Sequence, residues 1–158
     1  MITLIAARAH GGGIGKDNTI PWHAAEDLKS FQRERRGGAI VMGRLTWDSL
    51  PVKPLKNRLN IVVAARRDVA DTVCASVEEA VSLAYAQGYR RVYGIGGAGI
   101  YQAMMARADR LLITEVDLEV AGADTFFPEF SEREWKSLGQ TALRAAEPAC
   151  TLIEYLRR

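Results

Sequence analysis

The chain has 158 residues, 48% hydrophobic and 25% charged, with 21 Lys and Arg against 19 Asp and Glu. That balance is enough to bury a core and excludes intrinsic disorder. A net charge of +2 also argues against a protein that binds nucleic acid through its phosphates. The length predicts one domain over residues 1–158.

Cys74 and Cys150 stand far apart with no Cys or His at metal-ligand spacing, so neither a zinc site nor a disulfide framework is expected. The apolar start is too short for a signal peptide, and no run nears the ~18 apolar residues of a membrane span. A reducing cytoplasm is the simplest compartment.

In chain order the pattern predicts a strand at 2–7, a helix at 24–36, a strand at 39–42, a helix at 44–50 and a strand at 59–65. There follow a helix at 77–87, a strand at 91–95, a helix at 98–108 and a strand at 111–116. The helix from 77 is the best specified: Ser76 with Glu79 forms a capping box and Gly88 supplies a stop. Alternating strands and helices predict an α/β fold with a mostly parallel sheet. The tail breaks this rhythm: segments 135–144 and 150–156, separated by Ala-Ala-Glu-Pro-Ala, predict an antiparallel hairpin at one edge.

Eight of the 14 glycines fall in two clusters, at 11–15 and 94–99. The second, Gly94-Ile-Gly-Gly-Ala-Gly99, follows a strand, opens a helix and matches GxGxxG, in which backbone approaches a phosphate at a helix N-terminus. Too little chain follows for a Rossmann domain. A glycine cradle for phosphate or a flat ring and a tight turn without ligand both remain open.

Asp27 is the informative anomaly of the first helix. Ala24, Leu28 and Phe31 mark its apolar stripe at i, i+4 and i+7, and Asp27 falls on that face at i+3. An acid in the first turn can simply complement the helix dipole. Flanked by Leu28, Phe31 and Trp22, it is also costly to bury without a donor, which is where a ligand bearing N–H groups would be read. Further on, Gly43-Arg-Leu-Thr-Trp-Asp-Ser49 joins a strand to a helix, so backbone amides, Arg44 and Thr46 suit an anion. Arg66 and Arg67 close the next strand and would stand near Arg44. Arg58 and the histidines His10 and His23 have no obvious partner by spacing and read by default as solvated.

Taken in order, Leu4-Ile-Ala-Ala7, Gly13-Ile-Gly-Lys-Asp-Asn18, Ile20-Pro-Trp22, Glu26-Asp-Leu-Lys-x-Phe31 and Met42-Gly-Arg-x-Thr-Trp-x-Ser49 are joined by Asn57-Arg58, Ile95-Gly-Gly97, Ile100-Tyr101 and Leu112-Ile-Thr114. Together they resemble dihydrofolate reductase of the bacterial chromosomal type over essentially the whole chain. The resemblance implies an α/β domain with about eight mostly parallel strands, helices on both faces and the C-terminal hairpin. It also implies reduction of dihydrofolate by NADPH in a cytoplasmic monomer that feeds one-carbon metabolism and is a target of antifolates.

On that resemblance Asp27 is the acid of the pteridine pocket, with Thr114 and a water near Trp22 completing its network. Ile5 and Ile95 would offer carbonyls to the pterin amino group. Ile20, Leu28, Phe31, Leu50 and Leu55 would sandwich pteridine and aminobenzoate, and Arg58 would pair with the glutamate α-carboxylate. Ala7, Ile14, Gly15, Asn18, Thr46 and Tyr101 would line the nicotinamide and its ribose. Gly96, Gly97, Ala98 and Gly99 with Tyr101 would take the pyrophosphate side, Gly43 and Ile100 would also belong to the cofactor site, and Arg44 and Arg66 would take the 2′-phosphate beside Ala64 and Ala65. The family commonly has Ser or Thr at those last two positions, so here the phosphate rests on the arginines. Ala24-Ala25 likewise replaces a common Leu-Pro. A reductase of a riboflavin precursor, which would not need Arg58, and a non-enzymatic nucleotide-binding module are the alternatives.

Overall fold

A computed structural model of the chain describes residues 1–15, 32–50 and 53–158. Its strands are β1 (Ile2–Arg8), β2 (Gly13–Gly15), β3 (Ala39–Gly43), β4 (Leu59–Val63), β5 (Val73–Cys74), β6 (Val92–Gly94), β7 (Arg110–Val116), β8 (Thr125–Phe126), β9 (Trp135–Arg144) and β10 (Cys150–Arg157). Its helices are α1 (Arg44–Ser49), α2 (Val77–Ala86) and α3 (Ala98–Met105), and residues 32–35 form a further helical turn.

The main sheet has eight strands in the order β5-β4-β3-β6-β1-β7-β10-β9. Pairing is parallel from β5 to β7 and antiparallel where β10 meets β7 and β9. The α/β sheet and C-terminal hairpin read from the sequence are both present. Strands β2 and β8 form a separate antiparallel pair.

Alternation along the strands divides the core in two. On one face Leu4, Ala6, Val41 and Ile61 pack with Val77, Ala80, Val81 and Ala84 of α2 and with Ile100, Tyr101 and Met104 of α3. On the other, Ile5, Ile40, Met42, Val62, Tyr93 and Leu112 pack against Trp47, Leu50, Leu55 and Ile95. Each fully buried aliphatic contributes roughly 1.5–3 kcal/mol, so a register slip of one residue would forfeit both faces at once.

The ends of α2 follow from its flanking residues. Ser76 Oγ accepts from the Glu79 amide at 3.1 Å, while Glu79 Oε2 accepts from the amide of Ala75 at 3.0 Å, one residue beyond the expected box partner. At the other end Gly88 has φ +91°, and the amides of Gly88 and Tyr89 donate to Tyr85 and Ala84 carbonyls, closing a Schellman turn. Strands β2, β5 and β8 were not expected, because two or three residues carry no readable alternation. Half of the first glycine cluster is therefore strand: Gly13 and Gly15 pair with Phe126 and Thr125, after a 3-10 turn at His10–Gly12. Of the helix expected over 24–36, residues 24–31 lie outside the described residues.

Candidate functional site

The parallel strands end together at their carboxyl edge, where open α/β sheets bind ligands. Strands β3 and β6 are neighbours, with Val41 opposite Gly94, so the turns leading into α1 and α3 meet. The Gly43 amide donates to the Gly96 carbonyl at 2.9 Å, and the Ile95 amide to Val41 at 3.1 Å. Gly96 has φ +124° and is joined to Gly97 by a cis peptide. A methyl group added at Gly96 would stand 3.4 Å from Tyr101 Oη and 3.5 Å from Thr46 Oγ1. Backbone therefore occupies the space between two hydroxyls, in a conformation that L side chains rarely adopt.

Beside this junction opens a cleft of about 580 Å³. Gly43, Arg44, Thr46, Gly97, Ala98, Gly99 and Ile100 line it, all of them expected at a cofactor site. Val63, Ser76, Val77 and Glu78 line it too. Those four were missed; the capping box marked Ser76 as a helix start, but only the packing of α2 beside β4 puts it at a cleft. Tyr101 and Ile14 pack in the core beneath, and Ala7 packs against Val116 and Cys150.

On the opposite sheet face, Ile5, Leu50, Leu55 and Ile95 converge in one apolar cluster, as expected of a ring-binding wall. The Ile5 carbonyl accepts from Tyr101 Oη at 2.7 Å, which ties the wall to the glycine junction. A carbonyl has two lone pairs, so that oxygen retains acceptor capacity. Thr114 on β7 pairs in register with Ala7, two residues beyond the Ile5–Leu112 pair, and so shares their face. It is wholly buried, and its hydroxyl has no hydrogen-bond partner among the described residues.

Arg58 is not solvated as a lone basic residue would be. Its Nη2 donates to the Gln32 carbonyl at 3.1 Å, and its Nε is buried without a partner among the described residues. Burial first, and the charge of Arg36 second, hold its pKa below the ordinary guanidinium value. The basic cluster looks different from its expectation. Arg44 stands 3.6 Å from Asp48, Arg66 is paired with Asp68 at 2.7 Å, and Arg67 donates to the Val73 carbonyl at 2.9 Å and lies 3.6 Å from Glu79. Each arginine is balanced by its own neighbouring acid, and of the three only Arg44 lines the cleft. Ala64 packs against the apolar wall, while Ala65 is exposed.

His10 binds Asp117 through Nε2 at 2.7 Å on the surface, at the foot of the glycine turn. Asn18, Ile20, Trp22, Asp27, Leu28 and Phe31 lie outside the described residues. Among the described residues no cluster of His, Cys, Asp and Glu could hold a metal ion, and no helix is long and apolar enough to cross a membrane.

A family model described as dihydrofolate reductase matches residues 1–157. The dihydrofolate reductase of Neisseria gonorrhoeae is 44% identical over 161 residues, covering 98% of this chain and 97% of that protein. The type 3 dihydrofolate reductase of Salmonella typhimurium is 36% identical, covering 100% and 99%. The Bacillus subtilis dihydrofolate reductase is 40% identical, covering 86% and 80%.

Proposed function

The chain belongs to the dihydrofolate reductase family, and on that premise we propose that it reduces 7,8-dihydrofolate to 5,6,7,8-tetrahydrofolate with NADPH as the reductant. The observation that carries this reading to the site is the buried Thr114 hydroxyl on the face of the apolar wall, which has no hydrogen-bond partner among the described residues. A buried hydroxyl without a partner costs roughly 1–3 kcal/mol, which a ring bearing amino and amide groups would recover.

The residues fit the cofactor. The cleft beside Gly96 is lined by Gly43, Gly97 and Gly99, which leave room for a ligand, together with Arg44 and Thr46. In this reading Gly43 and the segment 96–100 hold the pyrophosphate side, and Arg44 and Arg66 hold the 2′-phosphate with no help from Ala64 or Ala65. NADPH would supply the hydride. Ile5, Leu50, Leu55 and Ile95 then hold the pterin and aminobenzoate and exclude water, and Arg58 takes the glutamate α-carboxylate.

Hydride arrival at the ring carbon leaves electron density on the neighbouring nitrogen, so a proton must follow. Asp27 raises the proton affinity of the substrate through its negative charge, Thr114 orients that carboxylate and the pterin, and a water near Trp22 delivers the proton. One domain spanning the chain, acting as a monomer in a reducing cytoplasm, completes the reading; Cys74 and Cys150 are both buried and neither is in a disulfide.

The test follows loss of NADPH absorbance on adding dihydrofolate, with NADH in parallel. Asp27→Asn is expected to lose about 10²-fold or more in turnover at neutral pH, with part of it regained in acid, where substrate arrives protonated. Normal neutral-pH turnover in that variant would remove Asp27 from the mechanism, and no NADPH oxidation by the parent protein would sink the whole reading.

A further inference from the structure

Asn60, the second residue of β4, lies on the same face as Val62, toward the apolar wall. Its side-chain amide makes three hydrogen bonds, all to backbone of one short loop. Oδ1 accepts from the Leu55 amide at 3.0 Å, while Nδ2 donates to the Leu55 carbonyl at 2.8 Å and to the Arg58 carbonyl at 3.1 Å. An amide side chain offers both a donor and an acceptor, and here both are committed to closing the segment 55–60 on itself.

The other limb of that loop is pinned to the turn after residues 32–35. The Gly37 amide donates to the Asn57 carbonyl at 2.7 Å, and the Leu59 amide donates to the Gly38 carbonyl at 3.1 Å. Asn57 sits at φ +63°, in the left-handed region that Asn tolerates. Arg58 lies between these anchors, with one guanidinium nitrogen already oriented by the Gln32 carbonyl. Its backbone is thus held from both sides, and Asn60 supplies the hold on the side of the loop that also carries Leu55.

We propose that Asn60 is a positioning residue for recognition of the substrate tail: by closing the 55–60 loop it places Leu55 against the aminobenzoate and aims the Arg58 guanidinium at the α-carboxylate. This rests on the role given to Arg58 under the proposed function. A bidentate arginine–carboxylate contact demands a fixed fork, and a misplacement on the order of 1 Å forfeits much of it. Asn60 itself touches neither substrate nor cofactor in this account.

The experiment measures KM and kcat for dihydrofolate and for a dihydropterin lacking the aminobenzoylglutamate tail, in Asn60→Ala, Asn60→Leu, Arg58→Ala and the Asn60→Ala/Arg58→Ala pair. Asn60→Leu keeps the volume and removes all three hydrogen bonds, so agreement between the two Asn60 variants separates lost bonding from a cavity. The ratio of the two KM values is expected to rise about fivefold to tenfold in each Asn60 variant, with the change falling on KM. In the double variant the Asn60 effect is expected to shrink to the part that acts through Leu55, because the part that acts through Arg58 is already lost. A ratio unchanged by Asn60→Ala and Asn60→Leu, or an effect that adds in full to Arg58→Ala, overturns the role of Asn60 while leaving Arg58 in place. A ratio unchanged by Arg58→Ala itself overturns the reading of Arg58 and, with it, this inference.

Discussion

Two polar regions serve the cleft side of this sheet, and they are built on opposite terms. At the glycine junction the Gly43 amide donates to the Gly96 carbonyl and the Tyr101 hydroxyl donates to the Ile5 carbonyl, and neither bond involves a charged group. At the basic rim, Arg44, Arg66 and Arg67 are exposed and each is paired with an acid a few residues away in sequence or on the next helix. The junction is determined by geometry and is insensitive to salt. The rim is determined by charge, and its surface pairs are worth ~0–1 kcal/mol each, so a phosphate can displace them. On the proposed reading, shape recognition of the cofactor is thereby fixed in the fold, whereas charge recognition is left adjustable.

The largest effect that sharpens this comparison is expected from Gly96→Ala. Its φ of +124° is a conformation that L side chains rarely adopt, so a methyl group is strained there even though it would meet the Tyr101 and Thr46 hydroxyls at ordinary contact distance. Strain of roughly 1–3 kcal/mol should weaken NADPH binding by about tenfold or more and lower the melting temperature. A variant that binds NADPH normally in a fluorescence titration would show that the junction is looser than its contacts indicate.

A smaller and opposite pair of effects is expected at the rim. Arg66→Ala should raise the KM for NADPH about tenfold while leaving that for NADH nearly unchanged, since only the former carries a 2′-phosphate. Asp68→Asn should lower the KM for NADPH about twofold by freeing Arg66 from its partner, an advantage that fades at high salt. Equal responses with the two cofactors would break the assignment of Arg66 to the phosphate.

The smallest effect concerns the partly buried network at the other end of the strands, where Arg110 joins Glu34 and Glu154 and Arg91 donates to Tyr93 Oη. Burial first, then Glu34, pushes the Tyr93 phenol above its ordinary value. The unfolded chain therefore ionises first. Stability from this group is whole below the unfolded pKa of ~10 and is lost as pH rises from there through the folded value. Tyr93→Phe should flatten the decline of unfolding free energy above pH ~10 by up to one proton's worth of slope. An unchanged slope, followed by denaturant titration at several alkaline pH values, would assign the decline elsewhere.

Much of this was legible from residue order. The parallel strands, the α2 caps and the glycine turn into α3 all announce themselves through periods and turn chemistry that act within a few residues. The C-terminal hairpin did so too, because Trp135 to Arg144 and Cys150 to Arg157 are long enough to show that they differ from the βα rhythm. Short β2, β5 and β8 escaped, since their pairing is set by what lies across from them. Arg58 read as an unremarkable surface base except through resemblance, because neither the Gln32 carbonyl nor the burial of its Nε is encoded nearby.

By itself, then, the sequence determined the fold class, the family and the identity of the groups able to do chemistry. The tertiary structure alone decided how they are arranged: that Ile5, Leu50, Leu55 and Ile95 form one wall, that Thr114 is buried with its hydroxyl unpartnered among the described residues, and that Asn60 closes the loop bearing Arg58. Local propensity acts over a handful of residues, but strand order brings together groups up to about a hundred positions apart, and only that packing sets which donors and acceptors remain unspent.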